Sequence, residues 1–385
     1  MLEGPLPATV ADFEGIVACA NACFPPPPGM SGMEVRAAHC YINEPDHLSR
    51  FLVIKDNGRV VACLGCITQV LAVDGGEVRV SGVSGVATLP EYRGQGLMSR
   101  LLPAAVNLMR GQNCAFSELG GDRLRYGRYG WETAGREWVY TFTPRASAQA
   151  QPPPGFAIRR YDPSDQPAVA AIHDAEPRRV LRSHDHYRRL LSRQGRDYWV
   201  AESRSGVAAY LVAQSQPNSI AVTEFGGSNG GLHALIAHLL SDLAQGDVAV
   251  PSPWAHPANP LFTSFSAGFT IRPLRMLRLL DLAATLRGFR NQITRRFQAL
   301  DLSKPRSIGL KIAETDETAA LVFDKEGFHV ESTCASPCLE LPRRDMTRFL
   351  FGPCSPEAVA PLPTGAAFLN ALLPLDFTIW RNETV

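Results

Sequence analysis

Lysine is scarce in this chain: only four of the 38 basic residues are Lys (Lys55, Lys304, Lys311 and Lys325), and the rest are Arg, whose planar fork suits phosphate and carboxylate. Neither sign of charge is in excess. Lys plus Arg number 38 against 37 Asp plus Glu, a net charge of +1, so no global field gathers nucleic acid or an anionic membrane. Any bound anion has to be caught by a local device. Long hydrophobic runs are missing too: no stretch reaches the roughly 18 apolar residues of a membrane span, and the opening MLEGPLPATVADFEG has no basic segment leading into an apolar one. These absences point to a cytoplasmic protein without nucleic-acid or membrane partners. The nine cysteines are an odd number scattered over 385 residues, unlike the dense even set of a small secreted scaffold, and read as reduced thiols. Cys63-x-x-Cys66 lies in a strand-like apolar run, RVVACLGCITQVLAV. Neither it, Cys334-x3-Cys338 nor His184-x-His186 has the further ligands a zinc site needs, so no metal is expected.

At about 150 residues per domain, the length implies two or three domains. Pro144–Gly155 (PRASAQAQPPPG) has no apolar periodicity and reads as an extended linker. A second composition shift follows FTIRPLRMLRLLD, near residue 280. Before the linker, two helices precede strands at about 50–56, 59–73 and 77–89, with Asp74-Gly75-Gly76 as a hairpin turn. A helix from about 95, a strand around 114–118, a short helix around 122–128 and a strand near 136–143 complete this part. Residues 156–280 repeat a similar order, as in a degenerate internal duplication. The remainder opens with helix ATLRGFRNQITRRFQAL and continues with strands SIGLKIAE, TAALVFD and FHVEST and helix RRDMTRFLFG. The fold class is thus α/β followed by α+β.

The chemistry concentrates in VSGVSGVATLPEYRGQGLMSRLLPAAVNLMR, residues 80–110. An apolar strand ends at Leu89-Pro90, the turn Arg93-Gly94-Gln95-Gly96 follows, and Leu97, Leu101, Ala105 and Leu108 recur at helical spacing. Glycines at a helix start let a pyrophosphate approach unpaired N–H groups, and Arg93 adds a charge-assisted fork. A plain strand-to-helix connection has the same local pattern. Pro103, inside the helix, removes a backbone hydrogen bond and is expected to kink it.

The run GVATLPEYRGQGLMSRLL resembles the acetyl-CoA signature of the GNAT N-acetyltransferases, Arg/Gln-x-x-Gly-x-Gly/Ala, with Arg93 and Gly96 in place and Met98 where the wider family prefers a small residue. Arg125-Tyr126-Gly127-Arg128-Tyr129-Gly130-Trp131 resembles the Tyr-Gly-Arg-Phe-Gly-Tyr stretch of the enhanced intracellular survival (Eis) acetyltransferases, a subgroup that tolerates Met at that position. The resemblance implies two tandem GNAT-like domains followed by a sterol-carrier-protein-2-like (SCP2-like) α+β domain. The divisions are 1–145 for the first GNAT domain, 146–155 for the linker, 156–280 for the degenerate second and 281–385 for the SCP2-like domain. It further implies that Val86, Ala87 and Thr88 pair with the pantetheine arm of acetyl-CoA, and that Arg93, Gly94, Gln95, Gly96, Leu97 and Met98 form the pyrophosphate loop. Tyr126 becomes the acid that protonates the departing thiolate, with a core aromatic as its other reading. The main-chain carboxylate of Val385 becomes the base, supplemented or replaced by Glu383, although the family more often ends in an aromatic residue. Rings of three stacked into hexamers are the implied assembly. One acetyl-CoA site per chain is expected, since the second repeat has no Arg-x-x-Gly pattern.

The leading function is acetyl-CoA-dependent acetylation of a primary amine, on a small molecule or a lysine, by direct attack in a ternary complex. The other readings are a non-catalytic or lipid-binding protein using the SCP2-like domain, and a GNAT taking another acyl group. Glu118 and Asp122 suit a cationic acceptor, but each reads first as a solvated loop carboxylate.

Overall fold

Apolar, β-branched-rich runs over residues 59–73 and 76–88 make two long strands, and the turn between them needs left-handed backbone, which Asp74 (φ +51°) and Gly75 (φ +86°) supply. These strands centre the first of two compact units in the computed structural model, which describes residues 1–147, 151–243, 246–300, 306–324, 327–333 and 335–384. The first unit comprises 1–135 with 273–377, and the second 136–272 with 378–384. In the first unit, β1 (Leu2–Pro7), β2 (Phe51–Asp56), β3 (Arg59–Val73), β4 (Gly76–Thr88), β5 (Phe116–Leu119) and β6 (Glu132–Ala134) form a sheet in the order β1-β2-β3-β4-β5, then Arg275–Leu279, then β6. All pairs are antiparallel except β4 with β5, which run parallel. The helices Phe13–Cys23 and Leu97–Gly111 pack on this sheet through Ile16, Cys19, Ala20, Leu97, Leu101 and Ala105, which belong to its buried core.

The second unit repeats this pairing pattern. Its sheet runs Ala157–Arg160, Asp197–Ser203, Gly206–Gln216, Ser219–Gly227, Asp247–Pro253, Glu137–Phe142 and Gly268–Arg272, again with one parallel pair after three antiparallel ones. The strand Glu137–Phe142, placed by sequence at the end of the first domain, pairs here instead, with Asp247–Pro253. Arg275–Leu279, at the end of the second repeat, pairs in turn with β5. Each repeat therefore completes its sheet with a strand from the other, because an apolar strand pattern specifies which faces are buried and not which strand lies alongside.

The C-terminal elements match the sequence pattern: helices Leu282–Gly288 and Arg290–Gln298, strands Arg306–Ile312, Thr318–Asp324 and Gly327–Glu331, and helix Arg343–Phe351. A further strand, Cys338–Leu341, pairs parallel to Arg306–Ile312. This segment docks on the first sheet by aromatic packing, since Phe116 of β5 lies 5.0 Å from Phe351 and 5.3 Å from Phe377, ring centre to ring centre. Among the described residues no helix is long and apolar enough to cross a membrane.

Candidate active site

β4 changes direction within its length. Opposite β3, Ser84 pairs with Gly65 and Ala87 with Cys63, so one extra residue is accommodated at Gly85 and Val86. Gly85 takes φ +56°, and a Cβ there would stand 2.3 Å from the Tyr41 hydroxyl, so only glycine fits the bulge. Against β5, β4 pairs only from Val80 to Gly82 with Phe116 to Glu118. Ala87 and Thr88 therefore pair with β3 on one edge, Val86 lies in the bulge, and none of the three has a β5 partner on the other edge. An open strand edge of this kind accepts an extended amide-bearing chain by adding to its ladder.

β4 feeds a short turn, Pro90–Tyr92, and then Arg93 to Gly96. Gly94 and Gly96 have φ of +79° and +73°, and a Cβ on either would meet nothing within 4 Å, so the loop is an open cradle. Gly96 caps the helix Leu97–Gly111 without a side-chain hydrogen bond, and no acidic residue sits in its first turn. The N–H groups there and the positive end of the helix dipole face an anion unopposed. Gly94, Gln95 and Gly96 are exposed, Leu97 is buried in the core and Met98 is half-buried. Arg93 is exposed, with its Nε donating to the Thr88 carbonyl at 3.3 Å, which ties the guanidinium to the end of β4. Pro103 lies inside the helix Leu97–Gly111, as the sequence reading has it, and is exposed.

Tyr126 closes the short helix Arg123–Tyr126, whose start is capped by Asp122 accepting the Arg125 N–H at 2.8 Å. Its ring is 8% exposed and joins the core of the first unit. Gly121 makes that packing possible, because a Cβ there would lie 2.4 Å from the ring. Burial pushes the Tyr126 phenol above its usual value, with Arg125 opposing, so it is a proton donor at neutral pH. Tyr129 donates or accepts at Ser99 Oγ over 2.6 Å, and buried Trp131 donates to Ser117 Oγ at 3.3 Å. These contacts tie residues 126–131 to both the helix Leu97–Gly111 and β5.

One sequence reading is revised at this site. Glu118 is not a solvated loop carboxylate: it is fully buried on β5, paired with Gly82 where β4 and β5 part, with Arg275 at 3.1 Å. Burial raises its pKa, and Arg275 opposes that. The strand simply continues through Glu118, and the compensating charge lies on a strand far along the chain. A carboxylate inside a central parallel strand is the signal for such a pair. Asp122 is exposed, in keeping with the sequence reading, and serves as the helix cap.

Glu383 belongs to the second unit, in a buried cluster. It accepts from Arg182 at 2.8 Å and from the Trp380 N–H at 2.7 Å, while Arg182 also donates twice to Glu224, at 2.7 and 3.0 Å. Burial, with Glu224 adding repulsion against the pull of Arg182, lifts the Glu383 carboxyl to about 7. Val385 lies outside the described residues, as does Cys334. Cys63 and Cys66 are buried strand residues, and burial pushes the Cys66 thiol up to about 12. His184 is exposed and His186 half-buried. Among the described residues no group of three or more His, Cys, Asp or Glu could hold a metal ion.

In comparison with known proteins, residues 6–134 match a family model described as an acetyltransferase (GNAT) domain. A search of curated sequences finds no match. Solved structures share the fold over nearly the whole chain at low identity. A probable N-acyltransferase from Enterococcus faecalis aligns with a TM-score of 0.74 and 15% identity, covering 97% of this chain and 96% of that one. A GCN5-related N-acetyltransferase from Anabaena variabilis aligns at 0.70 and 16%, covering 98% and 100%. Eis1 from Mycobacterium abscessus aligns at 0.67 and 17%, covering 94% and 95%.

Proposed function

We propose, for a chain that is a GNAT-type acetyltransferase through residues 6–134, that it transfers the acetyl group of acetyl-CoA to a primary amine by direct attack in a ternary complex. The observation that carries this reading is the parting of β4 from β5 directly before an open, glycine-lined helix start. Val86, Ala87 and Thr88 then pair with the pantetheine amides, and the loop from Arg93 to Met98 takes the pyrophosphate. The amine nitrogen attacks the thioester carbonyl carbon, and the tetrahedral adduct collapses with cleavage of the carbon–sulfur bond. The thiolate takes the phenolic proton of Tyr126, which solvent later restores. The ammonium proton passes, through water, to the Val385 main-chain carboxylate.

The tandem reading assigns the second sheet to a degenerate GNAT-like domain. Support comes from its pairing pattern, in which Ser219–Ala221 run parallel to Asp247–Ala249 before the strands part. There the following helix is capped by Ser228, whose Oγ accepts the Gly231 N–H at 3.2 Å, and the glycines beside it are packed rather than open: a Cβ on Gly230 would meet Phe156 at 3.0 Å and one on Gly231 would meet Ala209 at 2.7 Å. The C-terminal helices and mixed sheet are assigned to an SCP2-like domain, and the chain to cytoplasmic trimers or hexamers. Thiol release from acetyl-CoA, measured with polyamines, aminoglycosides and lysine peptides, tests the activity. Release with at least one amine is expected; no release, together with co-purified lipid, would favour the lipid-binding reading.

A further inference from the structure

A cavity of about 550 Å³ opens between the second half of the helix Leu97–Gly111, the loop Gly127–Gly130 and the segments carrying Arg278, Glu314 and Arg343. Five arginines line it, Arg110, Arg128, Arg278, Arg343 and Arg344, against a single carboxylate, Glu314. Two of the five are compensated: Arg343 donates to Glu317 at 2.7 Å, and Arg344 donates to Glu132. Glu314 is occupied by the Arg343 backbone N–H, at 2.9 Å.

The other three make no ion pair among the described residues. Arg110 donates to the Leu280 carbonyl at 3.2 Å, and Arg128 lies over the Tyr129 ring at 4.9 Å. Arg278 donates to the Tyr129 carbonyl and lies over Trp131 at 5.4 Å, and its Nε is buried without a hydrogen-bond partner. Burial, followed by the charges of Arg343 and Arg110, holds Arg278 down to about 10, as an uncompensated cluster of cations should. Guanidiniums tolerate such crowding when an oxyanion bridges them, since one phosphate or carboxylate group accepts from several forks at once.

We propose that this cavity binds a small, multiply charged oxyanion, an oligophosphate or a polycarboxylate, through Arg110, Arg128 and Arg278. The site is distinct from the pyrophosphate loop. That loop precedes Leu97 at the N-terminus of the helix, whereas the cavity is lined by helix residues from Leu102 onward and Arg110 lies in the last turn, about 20 Å along the helix from Leu97. Arg278 also holds the Tyr129 carbonyl, so the anion would brace the loop that follows Tyr126.

The test is calorimetric titration of tripolyphosphate, and separately of citrate, into the full chain with and without saturating coenzyme A. One binding event per chain is expected with at least one probe, unchanged by the coenzyme and weakened about tenfold or more by Arg278→Met. Because Arg278 also props the loop, Arg110→Gln, at an exposed helix position, is the second variant and should weaken binding similarly with thermal stability unchanged. Arg204→Gln, a surface arginine outside the cavity, should have no effect. Three results would each overturn the proposal. These are no binding of either probe at millimolar concentration, equal weakening by Arg204→Gln and Arg110→Gln, and displacement of the anion by coenzyme A but not by its 3′-dephospho form. The last would make the cavity the seat of the coenzyme's own 3′-phosphate.

Discussion

Tyr126 combines two properties that rarely coincide on a surface loop: a ring packed into the core and a phenol that burial keeps protonated. Tyr126→Phe retains the ring and removes only the acidic proton. Turnover should then fall by roughly 10²-fold or more, about 2.7 kcal/mol in the barrier, while coenzyme affinity stays unchanged. Steady-state kinetics beside a coenzyme titration separate the two effects; a rate near wild type returns Tyr126 to a purely packing role. Glu383 supplies a second prediction at this scale. Two carboxylates, Glu224 and Glu383, share the one guanidinium of Arg182, and Glu224 also receives the Tyr210 hydroxyl at 2.8 Å and the Asn382 amide at 3.1 Å. Burial in this cluster lifts the Glu383 carboxyl to about 7, above its ordinary value of 4.5. A raised carboxyl pKa stabilises the fold fully below the ordinary value and loses that contribution as pH climbs through the folded one. Thermal stability should fall between about pH 5 and pH 7.5, and Glu383→Gln should flatten that decline in melts recorded across the range.

At the scale of elements, the decisive unit is strand, glycine turn and helix start. The bulge at Gly85 follows the last β4–β5 pair at Gly82, and the turn through Gly96 then delivers an unopposed helix terminus. Gly96→Glu adds a like charge where the pyrophosphate would sit. The space around the position is open, and the cost to the fold is limited to the strain of a left-handed residue, about 1–2 kcal/mol. Coenzyme binding should be lost in calorimetry while the circular dichroism spectrum is unchanged; unchanged affinity would remove the loop from the site. Pro103 leaves this element intact, and on its exposed face of the helix it borders the arginine-lined cavity instead.

For the whole molecule, the prediction that separates the proposed mechanism from other GNAT schemes concerns the chain end. Ile379 and Trp380 are buried, Trp380 packs edge-on against Phe225 at 4.9 Å, and the Trp380 N–H is held by Glu383, so the tail is anchored up to that point. Extending the chain beyond Val385 by a few residues, or removing Thr384 and Val385, should lower acetylation at least tenfold relative to a protein tagged at Met1, if the terminal carboxylate accepts the ammonium proton. Equal rates in all three would exclude that carboxylate as the base.

Local pattern was enough to read most of the order of elements, though not the opening strand Leu2–Pro7 or the short strand Glu132–Ala134. The strands near 59–73 and 77–89, the helix opening at Leu97, the short helix ending at Tyr126 and the three strands after residue 305 are each written in the periodicity and turn residues of their own segments. The glycine cradle was legible for the same reason, because a helix start and its capping loop are made of neighbours in sequence. Tertiary structure alone decided where Glu137–Phe142 and Arg275–Leu279 pair, since alternation specifies a strand's faces and not its partner. It also decided that Glu118 is buried against Arg275, and that Arg110, Arg128 and Arg278 meet at one cavity. Whether a charged side chain is solvated or buried depends on counter-charges brought from more than a hundred residues away, and no local window contains them.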